Sequence, residues 1–480
     1  MKKIHLTLII IISFALLLSV GFGLLTIYVN QKELPKGVVL SDWNVGGQPA
    51  DNVLSELEDK LQTISAMTIQ LQSDALKGER VSINMLEAGV TFQAEAFRAG
   101  VQQLFEGSLW ERAVYRRNFK QEWHIATEWD RDVLKKRFNL AWEKEHFGEP
   151  VPAVRSISKD DIVRYTPEKT AYRIHWAALY ERLSAALPNE HNITELQQQE
   201  HQGIVIELPL IRQKPDVTVK TLQAEGIARK VVEFSTSLGA SAPGRIHNVS
   251  AAAKTVDGMI LKPGDEFNYA HIIDTAKKEY GFKEAPVIVN GKLVPGIGGG
   301  ICQVSSTVYH AALLMGLDIT ERRNHSLPVS YLPKGQDATF AEGAINFRFR
   351  NNTDKHLLIL ADVSNDTLTL KMFGTFPENT EYAIESNTIE TLPSPEKVIH
   401  NTALPPGFKQ VVQNGKPGYV VETYRTKKVN GEVVEKVKIS KDTYRAQNSI
   451  VAINPSNEIP MPNTKEPSKE EVVEDGVSTP

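Results

Sequence analysis

Cysteine is almost missing from this chain: Cys302 stands alone in 480 residues. A single thiol excludes an intramolecular disulfide and a multi-cysteine metal site. An excess of either charge is missing too. Lysine and arginine total 54 against 58 acidic residues, a formal net charge of -4, so no global basic field argues for nucleic acid. No second long apolar run follows Lys32, and no cysteine adjoins the first run to carry a lipid. Cofactor signatures are missing as well. Gly296-Ile297-Gly298-Gly299-Gly300 lacks the Lys-Ser/Thr of a nucleotide loop, and no His/Cys ligand cluster accompanies it, so neither cofactor nor metal is expected.

What is present begins at the N-terminus. Lys2 and Lys3 precede an uncharged run from Leu6 to Val29. At roughly 1.5 Å per residue such a run crosses a hydrocarbon core of about 30 Å. A cleavable signal peptide has a shorter apolar region followed by a small-residue cleavage site; here the run continues through Leu24, Leu25, Ile27, Tyr28 and Val29. The reading is a cytoplasmic stub (1–5) and a single-pass transmembrane anchor (6–29) in the cell membrane. The lysine pair favours the N-terminus inside and the bulk of the chain outside.

The remainder predicts an α+β multidomain protein. In 38–118, Val53, Leu54, Leu57 and Leu61 follow helical spacing, a strand near Val81–Ile83 leads to Val90 and Phe92, and a second helix carries Phe97, Val101 and Leu104. In 119–212 the pattern recurs 82 residues on: Val163, Tyr172 and Ile174 match Val81, Val90 and Phe92, and Leu179 and Leu183 match Phe97 and Val101. The aromatic and basic cluster Trp110, Tyr115, Arg116, Arg117 and Trp123 reads either as a sugar-stacking surface or as half-buried aromatics beside a solvated face.

Residues 220–372 carry the sharpest motifs. A helix is expected around Leu222–Leu238. After it come Arg245-Ile-His-Asn248-Val-Ser-Ala-Ala-Ala253, Leu261-Lys-Pro-Gly-Asp-Glu-Phe-Asn268 and Pro295-Gly-Ile-Gly-Gly-Gly300-Ile-Cys302-Gln303-Val-Ser-Ser306-Thr307. Arg323-Asn324-His325-Ser326-Leu-Pro328 and Gly335-Gln-Asp337-Ala-Thr339 complete the set. In residues 376–454, strands from Val420 to Val429 and Glu432 to Ile439 flank the turn pair Asn430-Gly431. From 455 to 480 the chain is rich in Pro, Glu, Lys and Ser, and reads as a disordered tail.

In order and spacing, the motifs of 220–372 closely resemble the VanW family. The two preceding repeats resemble the tandem peptidoglycan-binding domains that often stand before a VanW domain, and 376–454 resembles a G-five domain. Together with the apolar helix this is a YoaR-type VanW organisation. The resemblance implies a membrane-anchored envelope protein whose partner is peptidoglycan, stem peptide and glycan alike. It implies L,D-transpeptidation through the cysteine as one reading. A non-catalytic wall-binding scaffold, or an accessory role in glycopeptide antibiotic resistance, is the other.

The residues themselves support chemistry at Cys302. The three glycines before it permit a tight turn and a close backbone approach. Val304, Val308, Ala311, Ala312 and Met315 then repeat at helical spacing, with Gly316 suited to the C-terminal cap. Cys302 is therefore expected at a helix N-terminus, where free N–H groups and the helix dipole favour a thiolate facing an open groove. The alternative is an inert buried thiol.

An acyl transfer also needs a base. His325 is the candidate, with Asp337 to orient it; a turn-fixing histidine and a turn carboxylate are the plainer readings. His247 is a weaker base candidate, and His310, two turns along the helix, reads as structural. Candidate substrate-binding residues are Gly299, Gly300, Gln303, Ser306, Asn324 and Ser326. Arg348 and Arg350, which alternate with Phe347 and Phe349 on a strand, join them as carboxylate binders, or else form a solvated strand face.

Overall fold

The computed structural model describes residues 2–187, 203–289, 292–454 and 473–474. It is a mixed α/β multidomain chain. The N-terminal helix Lys2–Val29 is long and apolar enough to cross a membrane, and is exposed over most of its length with Val29 buried at its end, consistent with a single-pass anchor. The chain divides into two compact units, the helix belonging to the first. One comprises residues up to Pro152 together with Glu168–Asp216; the other comprises Ala153–Pro167 and the chain from Val217 onward.

In the first unit the helix Ala50–Ala66 buries Val53, Leu57, Leu61 and Ile64, the stripe expected of an amphipathic helix. The nearby strands Thr68–Gln72 and Val81–Asn84 pair antiparallel, and Ile204–Glu207 adds parallel to the first of them. The helix Glu95–Gln103 buries Phe97 and Val101. A capping box of Ser108 and Glu111 starts the helix Leu109–Arg117. From that helix, Arg112 donates to the Val29 carbonyl at 3.0 Å and Arg116 to the Gln31 carbonyl at 3.1 Å. The Val29 oxygen ends the N-terminal helix, where carbonyls lack intrahelical donors, and Gln31 follows two residues beyond it.

The aromatic cluster is divided in its exposure. Trp123 packs edge-on to Phe97, Tyr115 packs on Phe119 and Arg116 is buried, whereas Trp110 is 70% exposed. The duplicated pattern of 38–118 and 119–212 does not emerge as two separate units. Strand, strand and helix follow one another in both stretches, but the strands take different partners. Val81–Asn84 pairs with Thr68–Gln72, while Val163–Thr166 forms a hairpin with Val154–Ile157 that belongs to the second unit.

The second unit is built on a four-stranded antiparallel sheet ordered Arg229–Ser237, Thr367–Gly374, Leu357–Ser364 and Met259–Leu261. The first strand corrects the helix expected over Leu222–Leu238. Only Val219–Ala224 is helical. Gly226, with φ of +79°, ends it, and the β-favouring run Val231-Val232-Glu233-Phe234-Ser235-Thr236 pairs with Thr367–Gly374 instead. Helices Pro243–Val256, Tyr269–Glu279 and Ile301–Leu314 complete the core. Every residue of Ile301–Leu314 up to Leu313 is buried, so it is a central helix and not a surface one.

The C-terminal module is all-β. Strands Thr380–Leu392, Gly418–Val429 and Glu432–Tyr444 form one sheet, and Glu396–His400, Ser449–Ile453 and Lys409–Gln413 a second. Asn430 and Gly431 have φ of 54° and 83°, the left-handed pair a tight hairpin requires. Of the tail expected to be disordered, Val473–Glu474 forms a short strand on Glu284–Val289, and the rest lies outside the described residues.

Candidate active site

Cys302 is the second residue of the helix Ile301–Leu314, whose N-cap is Gly300 at φ +106°. The glycines fit the two constraints a tight helix entry imposes. Gly300 takes a left-handed conformation, and a Cβ at Gly299 would stand 2.4 Å from the Pro286 carbonyl oxygen. The sulfur does not face an open groove as expected: Cys302 has no exposed surface. The backbone N–H of Phe340 donates to Sγ at 3.1 Å, and Thr339 Oγ1 lies 3.8 Å away. The chain from Gln336 to Phe340 crosses over the helix start and closes it, with Ala338 held from both sides by Ser306 Oγ.

That same crossing brings the histidine and the carboxylate to the sulfur. His325 Nδ1 lies 2.6 Å from Asp337 Oδ2, and the His325 backbone N–H donates to the same oxygen at 2.7 Å. With Nδ1 engaged, the Cys302 sulfur is the polar neighbour left for Nε2, which is buried and has no partner of full hydrogen-bond geometry. Burial alone would depress the imidazole pKa. Hydrogen bonding and charge from Asp337 and Cys302 outweigh it and hold His325 well above its ordinary value. Burial likewise raises Asp337, but the His325 contacts and the Arg322 charge bring it down to about 2. The two shifts agree in direction: both describe a charged pair in a closed site.

Two further residues complete the network, and the motif reading missed both. Tyr444, from the last long strand of the β module, donates its hydroxyl to Asp337 Oδ1 and accepts the Gly335 N–H at 2.6 Å. Burial and the adjacent carboxylate raise its pKa, so it remains a donor. Arg322 stands 3.7 Å from Asp337 Oδ1 and 2.6 Å from Asp442. Tyr444 is 107 residues from Asp337 and lies in another module, so no local spacing signals it.

The other candidates have different duties. Gln303 is fully engaged, accepting from Arg245 at 2.9 Å and donating to Thr236 and Ser237. Asn324 donates to the carbonyls of His325 and Thr443, and the Ser326 carbonyl accepts from the Arg445 backbone. Arg348 pairs with Glu266 and Glu321 on a three-stranded sheet, and Arg350 is exposed there while Phe347 and Phe349 face the core. His247 bonds the Gly281 carbonyl. His310 stacks on Phe234 at 3.9 Å, and burial lowers its pKa to about 4. Among the described residues no group of three or more His, Cys, Asp or Glu could hold a metal. A cleft of about 760 Å³ opens beside Gln303, bordered by Arg245, Tyr331, Lys334 and Tyr419.

Comparison with known proteins matches the two motif-bearing stretches separately. Residues 244–373 match the VanW like protein family, and residues 384–455 match the G5 domain. This is a VanW/YoaR-like protein with a C-terminal G5 domain. It is 29% identical to the uncharacterized protein YoaR of Bacillus subtilis over 238 residues, 50% of this chain and 73% of that one. It is 31% identical over 151 residues to the vancomycin B-type resistance protein VanW of Enterococcus faecalis, covering 30% of this chain and 55% of that one. The crystal structure of HP0197-G5 aligns at 28% identity over 15% of this chain and 99% of its own, with a TM-score of 0.12. The IgA1 protease G5 domain aligns at 30% identity over 16% and 90%, with a TM-score of 0.13. VanW-like and G5 domains together mark a cell-wall-associated protein.

Proposed function

We propose that this chain is a membrane-anchored envelope protein that acts on peptidoglycan by cysteine-dependent acyl transfer. The observation that carries the reading is the convergence of Cys302, His325 and Asp337, from three separate segments, into one buried network. Their order is that of a nucleophile, a base and the group that orients the base. In the first step the Cys302 thiolate attacks a stem-peptide amide carbonyl. The C–N bond breaks, and the His325 imidazolium gives its proton to the departing amine. An acceptor amine then attacks the thioester, returns a proton to His325 and releases the sulfur. Asp337 holds the imidazole in orientation through both steps and favours its charged form before the first and after the second, while between them the ring is neutral and free to take the acceptor's proton. Since the sulfur is closed off, the strap from Gln336 to Phe340 must lift for substrate to reach it.

The test is intact-mass analysis of the full chain in detergent after incubation with a synthetic stem peptide. A thioester adduct on the wild type, absent from Cys302→Ala, is the expected result. No adduct and no peptide exchange under conditions where the protein binds the peptide would overturn the catalytic reading.

The full burial of Cys302 favours a second reading, a wall-binding scaffold in which the network only locks the β module to the VanW-like domain. It predicts equal retention on isolated cell walls for wild type and Cys302→Ala, with no acyl-enzyme in either.

A further inference from the structure

The cleft beside Gln303 has a charge pattern unlike that of the whole chain. Four cationic side chains border it, Arg245, Lys334, Lys416 and Arg445, and no aspartate or glutamate does. The chain as a whole carries a formal charge of -4, so this is a local concentration of positive charge against the general balance. Among the described residues, Lys334, Lys416 and Arg445 take part in no ion pair. Lys334 lies over the Tyr419 ring at 4.0 Å, which presents its ammonium at the cleft wall. Like charges gathered around a concave surface without counter-charges cost folding energy, and a bound anion relieves that cost.

A second and independent observation says what shape the anion takes. One wall is the hairpin of Glu284–Val289 and Lys292–Ile297, which presents Pro286, Ile288 and Leu293 to the cleft. The free edge of Glu284–Val289 is already used as a pairing template: Val473–Glu474 adds to it antiparallel, opposite Ile288 and Val289. The hairpin edge thus accepts an extended chain through its main-chain groups, as sheets do in β-augmentation. In sequence, Val473–Glu474 stand within Glu470-Glu471-Val472-Val473-Glu474-Asp475, a stretch with four carboxylates in six residues. Ile288 belongs to both, bordering the cleft and pairing with Glu474, and the strand on that edge comes from an acidic stretch.

We propose that this cleft is a binding groove for an extended, carboxylate-bearing peptide. The strand Glu284–Val289 pairs with the ligand backbone, Lys334, Lys416 and Arg445 receive its carboxylates, and the chain's own C-terminal segment is the intramolecular competitor for the site. The groove does not depend on chemistry at Cys302, but Gln303 on its border is the next residue in the chain, so a peptide held there lies beside the network.

The test uses the full chain in detergent and a variant ending at Asn454. The probe is a fluorescent synthetic peptide of residues 466–480, followed by anisotropy. The truncated chain is expected to bind the peptide at least 5-fold more tightly than the wild type, with affinity falling as salt rises. Lys334→Glu with Arg445→Glu in the truncated chain is expected to weaken binding at least 10-fold. On the unaltered truncated chain, a peptide with its carboxylates replaced by Gln should bind at least 10-fold more weakly, and one carrying Val473→Pro should lose binding through loss of a main-chain donor. Equal affinity for the acidic and Gln peptides overturns the charge-based recognition, whatever the folding of the variants. Equal binding by wild type and truncated chain overturns the tail as competitor. Cys302→Ala in the truncated chain should bind unchanged, which keeps a failure of the groove separate from a failure of the acyl-transfer reading.

Discussion

The Tyr444 hydroxyl donates to Oδ1 of Asp337 while His325 takes Oδ2, so the β module and the VanW-like domain share one buried carboxylate. Asp442, two residues earlier on the same strand, binds Arg322 at 2.6 Å, and Arg322 in turn donates to the Asp337 main-chain carbonyl at 2.7 Å. The G5 domain is therefore an integral wall of the candidate site.

Tyr444→Phe removes one donor from Asp337 and one acceptor from Gly335 without emptying the space. Leaving buried polar groups unpaired costs about 1–3 kcal/mol each. The expected outcome is a loss of about 2 kcal/mol in chemical denaturation, with the two domains still unfolding together. An unchanged midpoint would mean the hydroxyl is incidental.

The charged pair sets a pH window. Asp337 titrates at about 2 in the fold against an ordinary value of 3.8, so its contribution is present above the ordinary value and is lost as pH falls toward 2. His325 is raised well above 6.5, so its contribution is full below 6.5 and is lost as pH climbs through the raised value. Asp337→Asn should remove both limbs and lower stability in between. Urea midpoints collected across pH for both proteins check this.

His310 gives a separate acid limb. Its folded pKa is about 4 against 6.5, so the unfolded chain binds the proton more readily, and stability falls as pH drops from 6.5 to 4. The size is on the order of 3 kcal/mol. His310→Gln, which carries no charge at any pH, should flatten that interval. A variant that keeps the same slope would place the acid sensitivity elsewhere.

Cys302 should resist alkylation in the native protein. Its sulfur has no exposed surface, so iodoacetamide at neutral pH must wait for the strap from Gln336 to Phe340 to open. Labelling is expected to be at least 100-fold slower than in urea, and faster in Tyr444→Phe, which loosens the strap's anchor. Rapid native labelling would contradict the closed site.

Much of this architecture was legible from local pattern. The glycine run followed by Val304, Val308 and Ala311 located the helix that starts at Ile301, and Asn430-Gly431 located the hairpin turn. What escaped was non-local. The strand Arg229–Ser237 carried apolar residues at spacings compatible with either element, and only pairing with Thr367–Gly374 decides between them. The burial of Cys302 comes from a strap more than thirty residues downstream. Tyr444 and the cleft's cations come from segments with no shared spacing, so composition averaged the basic cleft away.

The grip of Arg112 and Arg116 on the carbonyls at and just past the end of the first helix has a mechanical consequence. Held at both points, the helix and the rest of the first unit turn as one body, so any tilt of the helix is passed straight to the fold with no slack linker to absorb it.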